Sequence, residues 1–353
     1  MFFLQKMFAL RYVEDLRTLG FCLIFFGVCS LQFAYDFNSN MLERFGMFVV
    51  TVFFAFLGAV TCHNAIHVPI SSSKSVNNAF QIVISLWFGY TASAYVPGHN
   101  LSHHRNLQTP RDIMSTYKMK FKSNFLNGVL FAPTIMLATG KNDGAYFAAQ
   151  RKMGRPIYKQ AQIELASWVV FQLALASIDP YKWMFVFFVP QLFGKYMIIS
   201  LNTLQHDGCD ENSKYNHSRN FVDPWLNYFC FNNGYHGIHH MYPGRHWALT
   251  KVEHDEKVKP NIHPNLDHPS IFEYMFDRYI YPAQRTTYDG KIYNIPNRGE
   301  DEPWFYATTE SYSDRASQSY TLMQETGRNS IKRKGETKGN EKYEGKISTD
   351  FTY

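Results

Sequence analysis

The sequence predicts an all-α integral membrane protein with about four transmembrane helices in two hairpins. It also predicts interfacial helices, a histidine-rich cap on the cytosolic side and a disordered C-terminal tail. Three observations support this fold class. Four apolar runs approach the roughly 20 residues that a helix needs to cross a bilayer. Only 18% of the 353 residues are charged, below the ~25% usual for soluble domains. Basic residues are concentrated in one set of loops.

The four apolar runs fall into two pairs along the chain. They cover residues 19–35, 45–62, 163–178 and 183–204. Asp179 and Pro180 form a tight break inside the second pair, which predicts a helical hairpin. Buried core helices of a soluble protein are the alternative, but four such runs in two pairs would be unusual there.

Two further stretches, residues 80–96 and 125–139, are shorter or more polar than the four runs. We expect helices that lie at the membrane interface or re-enter the membrane.

The distribution of basic residues predicts the orientation in the membrane. The loops assigned to the cytosol carry Lys6, Arg11, Arg17, Arg105, Arg111, Lys118, Lys120, Lys122, Arg151, Lys152 and Arg155. The opposite loops, residues 36–44 and 179–182, carry only one Arg and one Lys. This asymmetry follows the positive-inside bias. It accounts for the net charge of +6, and no motif indicates a nucleic-acid partner.

Composition divides the chain into three parts. Residues 1–18 are predicted to be a cytosolic N-terminal segment, and residues 19–305 a membrane domain with a cytosolic di-metal site. Residues 306–353 are rich in Ser, Thr, Lys, Glu and Gly, so too little apolar surface is available to offset the entropy of ordering, and a disordered tail is expected. The five cysteines include no Cys-x-x-Cys pair, which disfavours a cysteine-built zinc site.

The histidines are clustered. All 14 lie between residues 63 and 268, and nine of them fall in four short segments. These segments read HNAIH at 63–67, HNLSHH at 99–104, NTLQH at 202–206 and HGIHH at 236–240. Ionisable groups at the edge of a membrane are costly and indicate function.

The spacing within the segments predicts metal binding. Side chains three or four residues apart project from one face of a helix, so the pairs 63/67, 99/103, 202/206 and 236/240 are each expected to face a common point. The doubled histidines at 103–104 and 239–240 suit two neighbouring metals, because adjacent side chains point apart. Imidazole favours Zn, Cu, Fe or Ni. Nine imidazoles exceed what one tetrahedral zinc uses, so two metals fit better.

These segments resemble the histidine boxes of the membrane fatty acid desaturase family, which read HxxxH, HxxHH or HxxxHH, and HxxHH. The resemblance covers roughly residues 20–270. It implies a non-haem di-iron centre that uses O2 and two electrons to remove two hydrogens from an acyl chain. By motif match, the implied iron ligands are His63, His67, His99, His103, His104, His236, His239 and His240.

The NTLQH segment resembles a further element of acyl-CoA desaturases. There, the family pattern implies that His206 supplies one more ligand and Asn202 a water-linked partner. Asp207 and His246 are also near the boxes in sequence and are candidates for groups that hydrogen-bond the ligands.

The remaining parts of the reaction are expected to come from outside the chain. Neither an HPGG stretch of a cytochrome b5-type domain nor a Gly-rich dinucleotide fingerprint occurs in the sequence. Electrons are therefore expected from a separate carrier of the cytochrome b5 or ferredoxin type, docking on the basic cytosolic surface. The expected membrane is the endoplasmic reticulum in a eukaryote or the inner membrane in a bacterium.

Two alternative functions stay open from the sequence. The first is a lipid or carotenoid hydroxylase or ketolase with the same di-iron site, which diverges from desaturation only after the first hydrogen is removed. The second is a membrane receptor or scaffold that contains zinc. Product analysis separates the first alternative from a desaturase, and metal analysis separates the second.

Overall fold

A computed structural model describes residues 2–35, 40–297 and 299–303 of the chain. Most of these residues are helical, and strands are nearly absent among them. The α-helices are α1 (Phe2–Met7), α2 (Asp15–Ala34), α3 (Met41–His67), α4 (Lys74–Phe88), α5 (His104–Asn106), α6 (Asn124–Lys152), α7 (Pro156–Ile178), α8 (Pro180–Lys182), α9 (Val189–His206), α10 (Pro224–Phe229), α11 (His236–Met241), α12 (Trp247–Glu253) and α13 (Ile271–Tyr279). The predicted tail, residues 306–353, lies outside the described part of the chain.

Four helices of the described chain are long and apolar enough to cross a membrane, as predicted. They are α2, α3, α7 and the continuous segment Pro180–His206, in which a π-helix at Trp183–Phe188 joins α8 to α9. The α7–α8 break forms at Asp179, whose carboxylate accepts hydrogen bonds from the backbone N–H groups of Tyr181 and Lys182 at 3.0 and 2.9 Å. The predicted all-α membrane fold with four spans is thereby confirmed.

The stretch predicted at residues 80–96 forms a bent pair of helices. Lys74–Phe88 is followed by Ala92–Asn106, and the two axes differ by 84°. The second member combines a 3₁₀ turn at Ala92–Ala94, a π-helix at Val96–His103 and α5. Gly89 ends α4 with a φ of 83°, a conformation that favours glycine.

The stretch predicted at residues 125–139 is only the first half of a longer helix. α6 has 29 residues because its polar second half continues the helix to Lys152. A hydrophobicity criterion alone therefore underestimates its length.

Close packing of α3 against α9 sets the level of the site. A Cβ atom on Gly194 would lie 2.8 Å from the carbonyl oxygen of Ala55, so only glycine allows this approach. Small residues at such crossings are typical of membrane helices. Gly194 lies about three turns before His206, and Ala55 lies about three turns before His67. The histidines at the ends of α3 and α9 therefore lie at about the same distance from this helix contact, at the same end of the bundle.

The polar cap consists of residues 207–303 and packs against the membrane helices. Its two short strands, β1 (Asn220–Phe221) and β2 (Asp267–His268), pair in parallel with Asn220 opposite Asp267. The buried carboxylate of Asp15 at the start of α2 joins the cap to the membrane helices through hydrogen bonds. His246 Nε2 and Trp247 Nε1 each lie 3.1 Å from one of its oxygens.

Candidate metal centre

The structure gathers the nine predicted histidines into two groups. Within each group, one nitrogen from every ring lies within 4.8 Å of all the others. The first group contains His63, His67, His99, His104 and His239, and the second contains His103, His206, His236 and His240. Seven of the nine are buried, whereas His104 and His240 are partly exposed.

The first group is joined by short distances between ring nitrogens. The Nε2 atom of His239 lies 3.1 Å from Nε2 of His63 and 3.1 Å from Nε2 of His104. The Nε2 atom of His104 lies a further 3.1 Å from that of His99. An imidazole nitrogen makes one in-plane hydrogen bond, as donor or as acceptor, so these contacts cannot all be hydrogen bonds. Nitrogens that share a metal lie roughly 3 to 3.4 Å apart, given metal–nitrogen bonds of about 2.1 Å.

The second group has the same geometry. The Nε2 atom of His206 lies 2.8 Å from that of His236 and 3.1 Å from that of His240. The ring of His103 completes the group, with its centroid 4.9 Å from that of His206.

The two groups meet at their partly exposed members. The rings of His104 and His240 stack with their centroids 4.2 Å apart and an interplanar angle of 21°. Each doubled histidine is divided between the groups, so His103 and His104 belong to different groups, as do His239 and His240. Two metals held by these groups would be direct neighbours.

One predicted pairing within the boxes is wrong. His99 and His103 were expected to share a point, but His99 belongs to the first group and His103 to the second. The π-helix at Val96–His103 is the physical reason. Its wider turn aligns residues five apart instead of three or four apart, so His99 pairs with His104.

Several ring nitrogens that point away from the groups have partners. The Nδ1 atom of His103 donates to the carboxylate of Asp112, at 3.2 and 3.1 Å from its two oxygens. The Nδ1 atom of His206 donates to the carbonyl oxygen of His217 at 3.1 Å. The Nδ1 atom of His63 pairs with Oδ1 of Asn64 at 3.2 Å. Such bonds fix the tautomer and leave Nε2 free to bind a metal.

Asp112 is a residue of the site that the sequence patterns do not single out. This carboxylate has no exposed surface and also accepts the backbone N–H groups of Gln108 and Met114, both at 2.8 Å. It lies in a loop after the second box, at a spacing that no helical rule connects to His103. The signal that the sequence offered was an acidic residue nine positions after a histidine of the second box.

Two buried ring nitrogens without hydrogen-bond partners in the described chain support a metal site. Nε2 of His67 and Nε2 of His103 are buried and have no hydrogen-bond partner among the residues that the structure describes. A buried polar atom without a partner is costly. A metal ion at the centre of each group would satisfy these lone pairs.

Electrostatics keeps the cap histidines in the state that binds metals. The pKa values of His236, His239 and His240 lie well below the usual 6.5. Burial is the main cause, and the neighbouring imidazoles lower the pKa further. These rings are therefore neutral at pH 7, with lone pairs available for coordination.

The three additional candidates have other contacts. Asn202 is buried, and its Nδ2 donates to the carbonyl oxygen of Met114 at 2.7 Å. Asp207 forms an ion pair with Arg285, whose Nε lies 2.8 Å from one carboxylate oxygen. His246 pairs with Asp15, so the structure places both Asp207 and His246 in contacts that stabilise the cap.

A bundle of apolar helices that ends in nine converging imidazoles defines a membrane protein able to hold two metal ions. The model of the fatty acid desaturase family matches residues 42–265, which include all nine histidines. This match covers more than half of the chain, and the chain belongs to the fatty acid desaturase family. It is therefore a membrane oxidoreductase that acts on lipids. A comparison with curated proteins finds no match.

Proposed function

We propose that this protein is an O2-dependent desaturase that introduces a double bond into a fatty acyl chain of a lipid with a di-iron centre. The observation that carries the proposal is the division of nine imidazoles into two adjoining groups at one end of the membrane bundle. Each group would hold one iron ion.

The donor set supports iron. The first group offers five nitrogens, more than the four of a tetrahedral zinc site. Imidazole is a good ligand for iron. When bound, the two irons would supply the activation of O2 that unactivated C–H bonds require.

The residues of the chain contribute position and dryness to this reaction. Asp112 orients His103, and the carbonyl oxygen of His217 orients His206. Burial of seven of the nine rings excludes water from the reacting centre. The net reaction removes two hydrogens from the acyl chain and takes up O2, two electrons and two protons. It yields a carbon–carbon double bond and two molecules of water.

We infer that the electrons come from a separate carrier of the cytochrome b5 or ferredoxin type. The segment between residues 105 and 122, which follows the second box directly, presents Arg111, Lys120 and Lys122 at the surface. An acidic carrier would be attracted to this segment. The positive-inside bias supports a cytosolic position for this face, at the endoplasmic reticulum in a eukaryote or at the inner membrane in a bacterium.

The test is purification of the protein from a host that lacks the activity, with metal analysis and lipid profiling by mass spectrometry. The proposal expects about two iron ions per chain and new lipids that have lost two hydrogens. A product that has gained an oxygen atom would instead identify a hydroxylase. Stoichiometric zinc without any lipid product would overturn the enzymatic proposal.

A further inference from the structure

The bent pair of helices that carries the second box has a break at residues 89–91. A helix end leaves carbonyl oxygens without partners on one side of a break and N–H groups on the other. Next to lipid, each such group must find a partner within the protein. The break lies between the membrane helices α7 and α9, and these helices supply the partners.

The carbonyl side of the break is bonded by α9. Nζ of Lys195 donates to the carbonyl oxygen of Gly89 at 2.9 Å, and Nε2 of Gln191 donates to the carbonyl oxygen of Leu86 at 2.6 Å. Lys195 lies about 16 Å along the helix from His206, deep within a candidate membrane span.

The N–H side of the break is bonded by α7. Oε2 of Glu164 accepts the backbone N–H of Ser93 at 2.8 Å, and Oε1 accepts the hydroxyl of the same serine at 2.9 Å. Ser85 accepts the N–H of Ala92 at 2.9 Å. Glu164 has no exposed surface although it lies in a candidate membrane span.

The signs of the two charges match the dipoles of the helices. A lysine belongs at the C-terminal, negative end of a helix and a glutamate at the N-terminal, positive end. Lys195 and Glu164 occupy these places on α4 and on the helix that begins at Ala92. Charged residues inside membrane helices are rare and indicate function. The two histidine groups do not include Lys195 or Glu164, so these charges need another explanation.

The break is also close to the metal centre. The helix that Glu164 caps carries His99, His103 and His104, which supply ligands to both groups. Tyr95, two residues after Ser93, packs with its ring centroid 5.1 Å from that of His99 and 6.1 Å from that of His63. A shift at the break would therefore displace three imidazoles together.

We propose that Glu164 and Lys195 are positioning residues that hold the two ends of this break and thereby set the position of the second histidine box in the metal centre. This inference rests on the proposed metal centre but requires no particular lipid reaction. Neither residue belongs to either histidine group, and both act through the backbone of the bent pair.

The test compares charge-removing variants of nearly unchanged size with matched controls. Glu164→Gln and Lys195→Met remove the charges, Lys195→Arg keeps the positive charge, and Lys159→Met changes an exposed residue on the same helix as Glu164. Full-length proteins are purified in detergent. Metal content per chain, the rate of metal loss to a chelator and the absorption spectrum of the Co²⁺-loaded protein are measured.

The expected result is about tenfold weaker metal retention in Glu164→Gln and Lys195→Met, the size of effect seen when groups that orient ligands are lost. A changed Co²⁺ spectrum should accompany it, while Lys195→Arg and Lys159→Met behave as the original protein. The inference would be overturned if both charge-removing variants retained metal as the wild-type protein does and had the same Co²⁺ spectrum. Equal metal loss in Lys159→Met would overturn it as well. If a charge-removing variant cannot be purified, the other decides.

Failure of the proposed function would look different. A wild-type protein that binds two zinc ions and yields no lipid product would refute the desaturase. The positioning role would still be judged by the metal content of the variants relative to the wild type.

Discussion

His99 and His104 hold their Nε2 atoms 3.1 Å apart although they are separated by five positions in the chain. An α-helix would place residues three or four apart on one face. The second box, up to His103, instead lies in a π-helix, and His104 follows directly after it. This local change frees His103 to join the second group while His99 and His104 stay in the first. One short helical segment therefore supplies histidines to both groups.

Removal of one ring from each group should abolish the reaction. His239→Ala takes a nitrogen from the first group and His103→Ala takes one from the second. We expect no detectable unsaturated product from either variant in a host that lacks the activity, while membrane fractionation shows normal insertion. His263→Ala, which removes a ring outside both groups, should stay within about twofold of wild-type activity. Activity in both of the first two variants would refute the ligand assignment.

Asp112→Asn should weaken the metal centre without unfolding the protein. The variant keeps the size of the side chain but loses the carboxylate charge, which accepts the hydrogen bond from Nδ1 of His103. We expect metal affinity or activity to fall about 10- to 100-fold, as is usual for partners of metal-bound histidines. Asp255→Asn, at an exposed ion pair with Lys251, is the control. Equal metal affinity in the two variants would show that Asp112 has no such role.

Gly194→Ala should destabilise the bundle and its metal site. The added methyl group would approach the carbonyl oxygen of Ala55 to 2.8 Å, so α3 and α9 must separate. Overpacking of this kind costs about 1–3 kcal/mol. Gly27→Ala, where the added atom meets nothing within 4 Å in the described part of the chain, should be neutral or slightly stabilising because alanine favours helices. Thermal unfolding in detergent measures both, and a higher unfolding temperature for Gly194→Ala than for Gly27→Ala would contradict the packing argument.

Acid should destabilise the metal-free protein. His236, His239 and His240 have pKa values well below 6.5 in the folded state because burial disfavours their charged form. Well above pH 6.5 these rings are neutral in both the folded and the unfolded state. As the pH falls below 6.5, the unfolded chain takes up protons that the folded chain does not, and each group lowers the free energy of unfolding by up to ~1.4 kcal/mol per pH unit.

The measurement is denaturant unfolding of the metal-free protein at pH 7.5 and pH 5.5. A variant with all three rings replaced by Asn should show a smaller loss of stability over the same interval. Unchanged stability of the wild-type protein between the two pH values would disprove this prediction.

Much of the fold could be predicted because apolar runs of membrane length are a property of the sequence itself. The length of α6 could not, since its second half is held by contacts that composition does not record. The sequence patterns do not single out Glu164 or Lys195. The role of a single charged residue in an apolar run can be inferred only when the backbone groups that it bonds are known.

The sequence alone determined that nine histidines lie in segments attached to membrane helices, at spacings that predict metal binding because imidazole is a good ligand for transition metals. Only the tertiary structure decided which histidine joins which group. The π-helix that divides the second box has a turn width that residue spacing does not reveal. The glycine contact between α3 and α9 and the loop that brings Asp112 to His103 depend on contacts between residues that are apart in sequence. Metal coordination is decided at the scale of a fraction of an ångström, and that precision comes from packing.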